Sequence, residues 1–429
     1  MTTAVLVVAL LLALALLLPH SASGKTARQM ASPNTPRGVK FNYGPQNNDK
    51  VASNVLLLDH INLNHEKGRH DLLRAFYLDT LGLALDPRKK KNFDEGRDSL
   101  WFNAGITQLH LPEAERAQVF DGVITLSCTG AADTFSALIA RLEQPPAVLL
   151  RDSYFSWCRL SDKAVAVRDP WGTSFVLKHD PSALDTRGKQ PDADTALLPC
   201  TISDVTVNLP RGTSAHDLLA TASFYQHTFE TPWTTKRGSF DDTYRVSLQT
   251  SPVQHLSFQR LDDPIPDALR TKLDGDEEFS DIAARLQAGC ARPAPTPHAH
   301  DDVERAASDP APSSASSAAS ASTQPRQGKI IANAGPHISL YVQDFSGIYA
   351  RAERLGCLFT NTRFERQAYS LAEARQQCMF RTFDVQDPAS PDAARPLLRL
   401  EHEVRSVLDK DGKLYKSCPF DAVPPGFRP

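Results

Sequence analysis

The feature that most constrains this chain is that it repeats. The segment Asp59-His60-Ile61-Asn62-Leu63-Asn64 is echoed 145 positions later by Asp204-Val205-Thr206-Val207-Asn208-Leu209, and each opens an extended stretch. His-Asp-Leu-Leu follows at 70–73 and again at 216–219, then Phe-Tyr-x-x-Thr at 76–80 and 224–228, on helical spacing. A His-Leu strand closes each copy, Gln108-Leu109-His110-Leu111 and Val253-Gln254-His255-Leu256, again 145 positions apart. Three features at nearly constant offset mark a duplicated unit, and a repeat of this size decides the fold class before any local reading does.

Each half holds a second unit of the same kind. Phe120 to Leu126 reads as a strand leading into a helix at 133–143, and Gly335 to Tyr341 as a strand leading into one at 345–355. Both end on a strand that places a charge and then His after Leu, at Leu177-Lys178-His179 and Leu400-Glu401-His402. Strands of period two alternating with helices of period 3.6 give an α+β chain of four βαβββ-like units, two per half.

What lies between the units is loop-like. The 31 prolines exceed the 21 glycines, and 291–329 runs through Pro, Ala and Ser with too few apolar residues to offset the entropy of ordering. The expected organisation is a leader at 1–24, a disordered lead at 25–52, a first domain at 53–180, a linker at 181–199, a second domain at 200–405 that carries the insertion 291–329, and a tail at 406–429. The apolar run 4–18 followed by small residues reads as a signal peptide cut near Ser23, although Met1-Thr2-Thr3 carries no basic side chain. The secretory pathway is therefore the expected route, whether to secretion or to an organelle reached through it, with an uncleaved anchor as the alternative. A net charge of -3 gives no basic field for nucleic acid or an anionic membrane. Seven scattered cysteines, with no C-x-x-C pair, do not define a zinc knuckle or a disulfide framework.

The stretches LDHINLN (58–64), FYLDTLGLALDP (76–87), AGITQLHLPE (104–113) and RDPWGTSFVL (168–177) resemble the vicinal oxygen chelate superfamily, which includes glyoxalase I, extradiol dioxygenases and bleomycin-resistance proteins. GPHISLYV (335–342) and LLRLEHEV (397–404) extend the resemblance more thinly into the second half. It implies paired βαβββ modules curled into open cavities, here two domains, with metal ligands on the first and last strands of each unit. Carried over, unit one offers His60 with Gln108 or His110. Unit two has Gly122 where His is expected and Val176 or Lys178 where a carboxylate belongs, so the first half reads as an eroded site. Unit three has Val205 or Thr206 in place of a ligand but keeps His255, and unit four supplies His337 and Glu401.

The resemblance thus implies a metal site at His255, His337 and Glu401, two imidazoles and a carboxylate suited to Fe(II), Zn, Mn or Ni. Glu403, on the same strand face as Glu401, is the alternative ligand or a general base, and Tyr341 a second proton-transfer candidate. The implied activity is that of a metal-dependent lyase, isomerase or dioxygenase acting on a small molecule with vicinal oxygens. A non-catalytic binding module of the same superfamily is the alternative, and a partner-binding role for the insertion a third. Plainer readings stand beside these. His60 fits a satisfied cavity histidine, His110 and His255 a shared structural hydrogen bond, and 400–403 a salt-bridged edge strand with Arg399 and Arg405. His298 and His300 fit solvated residues of the insertion, Arg88 to Lys91 a solvated loop, and Trp101, Phe102 and Trp171 core.

Overall fold

The structure, a computed structural model, describes residues 53–96, 99–183, 197–210, 212–235, 245–251, 253–260, 329–331, 336–361, 368–390, 395–416, 418–420 and 422–429. The leader, the lead, most of the linker and 291–328 lie outside the described residues. None of the described helices is long and apolar enough to cross a membrane.

Four βαβββ modules are present. Module one has β1 (Val55–Asn62), the short β2 (His65–Glu66), α1 (His70–Leu73) continuing as a π-helical stretch Arg74–Thr80, β3 (Ala84–Leu85), α2 (Lys90–Asp94), β4 (Ser99–Ala104) and β5 (Thr107–Ala114). Module two has β6 (Gly122–Cys128), α3 (Ala132–Glu143), α4 (Ala147–Asp152), β7 (Ser156–Ser161), β8 (Ala164–Arg168) and β9 (Ser174–His179). Module three has β10 (Cys200–Asn208), α5 (Ala215–Phe229), β11 (Trp233–Thr235), β12 (Arg245–Ser251) and β13 (Gln254–Gln259). After β14 (Lys329–Ile331), module four has β15 (His337–Val342), α6 (Phe345–Arg354), β16 (Leu358–Asn361), α7 (Leu371–Gln377), β17 (Met379–Val385) and β18 (Leu398–Arg405).

The modules do not share sheets with their neighbours in sequence. One sheet runs β14-β16-β17-β18-β15-β1-β5-β4-β3, with β2 alongside β5, and so joins module four to module one. The other runs β11-β12-β13-β10-β6-β9-β8-β7 and joins module three to module two. Within each sheet the two modules meet back to back through antiparallel first strands, β1 with β15 and β10 with β6. Each first strand also pairs in parallel with the last strand of its own module. Each sheet therefore joins a module from the first half of the sequence to a module from the second.

Helices supply the links between sequence neighbours. In module one Tyr77 stacks on Phe102 with ring centroids 5.0 Å apart, and Phe76 packs on Phe175 of module two at 6.1 Å. In module three Tyr225 packs on Phe258 and its hydroxyl meets His402 Nε2 of module four at 2.7 Å. The repeated Thr marks where each helix ends. Arg141 of α3 donates to the Thr80 carbonyl at 2.9 Å, and Arg351 of α6 donates to the Thr228 carbonyl at 2.8 Å. Each arginine thereby satisfies a terminal carbonyl that the helix itself cannot pair, and adds a favourable charge at the negative end of the dipole. At its other end α5 is fixed by a capping box between Ser214 and Asp217.

The last residues are part of the fold. Val407, Cys418 and Phe420 pack against Leu56, Leu57 and Tyr341, and Arg428 bridges to Asp344. Cys128 and Cys200 stand opposite each other on β6 and β10, both as buried free thiols.

Candidate metal centre

The sheet that joins modules one and four carries the polar cluster. His60 sits on β1 one step past a register shift at Leu58 to His60, a bulge of the kind that re-aims side chains. His337 opens β15, two residues across the pairing from His60, and Glu403 lies on β18 beside Ser339. One donor atom each from His60, His337 and Glu403 lies within 4.8 Å of the others. All three residues are buried in a sheet interior.

Their neighbours fix their protonation. Asp59 holds His60 Nδ1 at 2.9 Å, so that nitrogen carries the proton and Nε2 keeps its lone pair. Burial lowers the His60 pKa against the raising effect of that bond, and burial with the Arg381 charge holds His337 well below the usual imidazole range. Both rings are therefore neutral, the form that ligates. Burial raises the Glu403 pKa, yet the Arg405 and Arg381 guanidinium groups outweigh it and hold the carboxyl well below its ordinary value. Glu403 is thus anionic and a weak base, which suits a ligand better than a proton acceptor.

A chain of ion pairs surrounds the donors. Arg381 on β17 bonds both Glu401 and Glu403, Arg405 bonds Glu403, and Arg405 lies 3.6 Å from Asp59. Glu401 also accepts from Asn361 at 3.0 Å, and His337 stands 3.7 Å from each of Glu401 and Glu403. Buried charges of this kind persist only when paired and hydrogen-bonded. The salt-bridged reading of 400–403 therefore holds in part: Arg405 is a partner, Arg381 takes the place of Arg399, which pairs with Asp384, and β18 lies between β17 and β15 instead of at an edge.

The two modules present matching residues to this centre. His60 pairs across β1 and β5 with Gln108, as His337 pairs with Glu401, and Trp101 pairs with His110 as Arg381 pairs with Glu403. Gln108 donates to Asp86 and Asn103, at 2.7 and 2.6 Å. His110 has both ring nitrogens engaged, by Asn62 at 2.7 Å and Ser99 at 2.8 Å, and stacks on Trp101 at 3.8 Å. That is the structural role the sequence offered for it. Trp101 and His110 are the half-buried edge of the centre.

His255 is not brought to this place. It lies on β13 of the other sheet, between Asp204 and Gln249. The set His255, His337 and Glu401 therefore keeps only its module-four members together. Tyr341 is wholly buried, 3.4 Å from Arg405 through its hydroxyl, and burial pushes that hydroxyl well above its usual pKa. It is packed as core against Phe420 and is a poor proton donor there.

Among the described residues the second sheet offers no such set of donors. A Cβ on Gly122, at φ +153, would stand 2.0 Å from the Thr206 carbonyl oxygen, so no histidine fits where the repeat asks for one. Val176 packs with Val123 and Ala166, Val205 is core, and Lys178 is exposed.

Two back-to-back βαβββ pairs make the α+β architecture that the sequence resemblance implies. The chain is structurally similar to glyoxalase I from Zea mays, at 8% identity over 84% of this chain and 94% of that one, with a TM-score of 0.39. It is also similar to the 2,3-dioxygenase LapB from Pseudomonas sp. KL28, at 9% identity over 83% and 93%, with a TM-score of 0.25. Lactoylglutathione lyase from Agrobacterium tumefaciens matches at 18% identity over 29% of this chain and 92% of that one, with a TM-score of 0.20. No family model and no curated protein sequence matches the chain.

Proposed function

We propose that this protein is a metal-dependent enzyme of the lyase, isomerase or dioxygenase kind, acting on a small molecule with adjacent oxygens, and that His60, His337 and Glu403 hold its divalent cation. The observation that carries this reading is the convergence of three donors from β1, β15 and β18 within 4.8 Å. Two neutral imidazoles and one carboxylate match the ligand chemistry of Fe(II), Zn, Mn or Ni and leave positions for substrate. A cation held there would polarise the vicinal oxygens of a substrate and acidify an adjacent C–H, or present dioxygen.

The protein's own groups have definite parts in this reading. Asp59 orients the His60 ring and fixes its tautomer through the 2.9 Å bond. Arg381 and Arg405 keep Glu403 ionised and aimed. The Trp101–His110 stack forms a flat aromatic edge beside the donors, suited to lie against a planar substrate.

A second reading, a binding module without catalysis, is favoured by one observation: Glu403 already accepts from two guanidinium groups. Metal analysis of the purified chain separates the two. The enzyme reading expects bound metal that His337→Ala loses by one equivalent, whereas a folded wild type that takes up no cation at this centre supports the binding module.

A further inference from the structure

A second group of donors lies outside the centre just described and takes no part in it. We propose that His65, His70 and Glu113 form an independent binding site for a zinc-class divalent cation. One donor atom from each lies within 4.8 Å of the others.

The local chain path makes the cluster. β2 runs in parallel beside the end of β5, which sets His65 next to Glu113 in register. The loop that follows is fastened to the same strand end: Lys67 N–H donates to the Ala114 carbonyl at 2.9 Å, and Gly68 N–H to Glu113 Oε1 at 2.7 Å. Gly68, at φ +74, turns the chain so that His70, the first residue of α1, returns over His65 with ring centroids 5.3 Å apart. Phe93 flanks His70, and Trp171 flanks His65 on its other side.

The decisive observation is the state of the His65 ring. Its Nδ1 lies 3.0 Å from the Leu111 carbonyl, which can only accept, so Nδ1 carries the proton and Nε2 presents a lone pair. His65 is fully buried, and that Nε2 makes no hydrogen bond among the described residues. A buried acceptor without a donor is costly, and native proteins seldom leave one. Among the described residues neither ring nitrogen of His70 is hydrogen-bonded. Burial, helped by the neighbouring His70, pushes His65 down to about 4, which keeps it neutral and able to ligate at neutral pH.

Two imidazole nitrogens and a carboxylate oxygen are the donor set of tetrahedral zinc sites with a fourth position left for water. Ligand atoms around such an ion stand about 3.4 Å apart, from bond lengths of about 2.0–2.1 Å. His70 and Glu113 are only partly buried, so they can close the remaining gap and admit a solvent ligand. The cation would sit near the N-terminus of α1, where the dipole opposes it, and the Glu113 charge offsets that. Its effect would be to clasp the 65–70 loop to β5.

The test uses the full chain, stripped with chelator, and Zn²⁺ as the probe. In a His337→Ala background, which disables the other centre, calorimetric titration is expected to show one equivalent of Zn²⁺ and a rise in Tm with added metal. Adding His70→Ala, or separately Glu113→Gln, should weaken that binding at least tenfold and remove the rise in Tm. Both second variants sit at partly buried positions, so one serves if the other fails to fold. The proposal is overturned if the His337→Ala chain takes up no Zn²⁺, or if His70→Ala and Glu113→Gln bind it as tightly as their parent. Failure of the enzyme reading looks different: the wild type and His337→Ala would then bind equally.

Discussion

Gln254 holds Leu58. The side-chain amide of Gln254, on β13, accepts from the Leu58 N–H at 3.1 Å and donates to the Leu58 carbonyl at 3.1 Å and the Ile202 carbonyl at 3.0 Å. The two residues are 196 positions apart and lie in different sheets. This clasp falls at the register shift that precedes His60, so one sheet positions a donor of the other. Gln254→Ala leaves those buried backbone groups unsatisfied, at about 1–3 kcal/mol each. The expected outcome is a fall in urea midpoint together with weaker metal binding at the centre, measured by denaturation and titration of one protein preparation. Lost stability with unchanged affinity would show that the clasp is structural only.

Asp59 acts on the metal centre through His60. Asp59→Asn keeps the shape but cannot fix the His60 tautomer as firmly, and removal of such an outer carboxylate costs 10–100-fold in affinity, roughly 1.4–2.8 kcal/mol. Titration with Zn²⁺ or Mn²⁺ should show that loss with little change in Tm.

Arg381 neutralises two buried carboxylates at once. Arg381→Met strands Glu401, while Glu403 keeps Arg405, at a cost of about 3–5 kcal/mol for a broken buried pair. The double variant Arg381→Met/Glu401→Leu should recover part of that loss. A double variant no more stable than the single one would show that Glu401 does not depend on Arg381.

Acid should destabilise the fold in a defined window. His402 is pushed down by burial to about 3 and His65 to about 4, against 6.5 for a free imidazole. The unfolded chain binds those protons first, so the stability held above pH 6.5 is lost progressively as pH falls toward 4 and 3. Glu403, also depressed, adds loss of the same sign at lower pH. Asp169 works the other way, because burial raises it to about 6 despite bonds from Thr173, Trp171 and Gly172, so its penalty is relieved on acidification. The histidines should win. Urea midpoints at pH 7.5, 6 and 5 are expected to decline, with a shallower decline in His402→Leu.

Much of this was legible in the chain. The repeat gave the four modules, and the helices at 133–143 and 345–355 lie within a residue of α3 and α6. His60, His337, Glu401 and Glu403 stand out because inward strand positions normally carry apolar side chains. The partner of each module was not legible. Sequence neighbours usually pack together, and that rule joins His337 to His255, whereas the observed pairing of β1 with β15 joins it to His60. Strand pairing across 277 residues leaves no local mark, since β1 and β10 have similar patterns and either would satisfy β15. The Gln254 clasp was hidden for the same reason. Gly122, small where a ligand was expected, and Val176 or Lys178 in place of a carboxylate warned that module two could not complete a site.

The most direct measurement compares metal uptake by His60→Ala and His255→Ala chains at neutral pH. If modules one and four build the centre together, His60→Ala loses one equivalent and His255→Ala keeps it. Retention by His60→Ala with loss from His255→Ala would contradict the account, as would a wild type that binds no metal in either sheet.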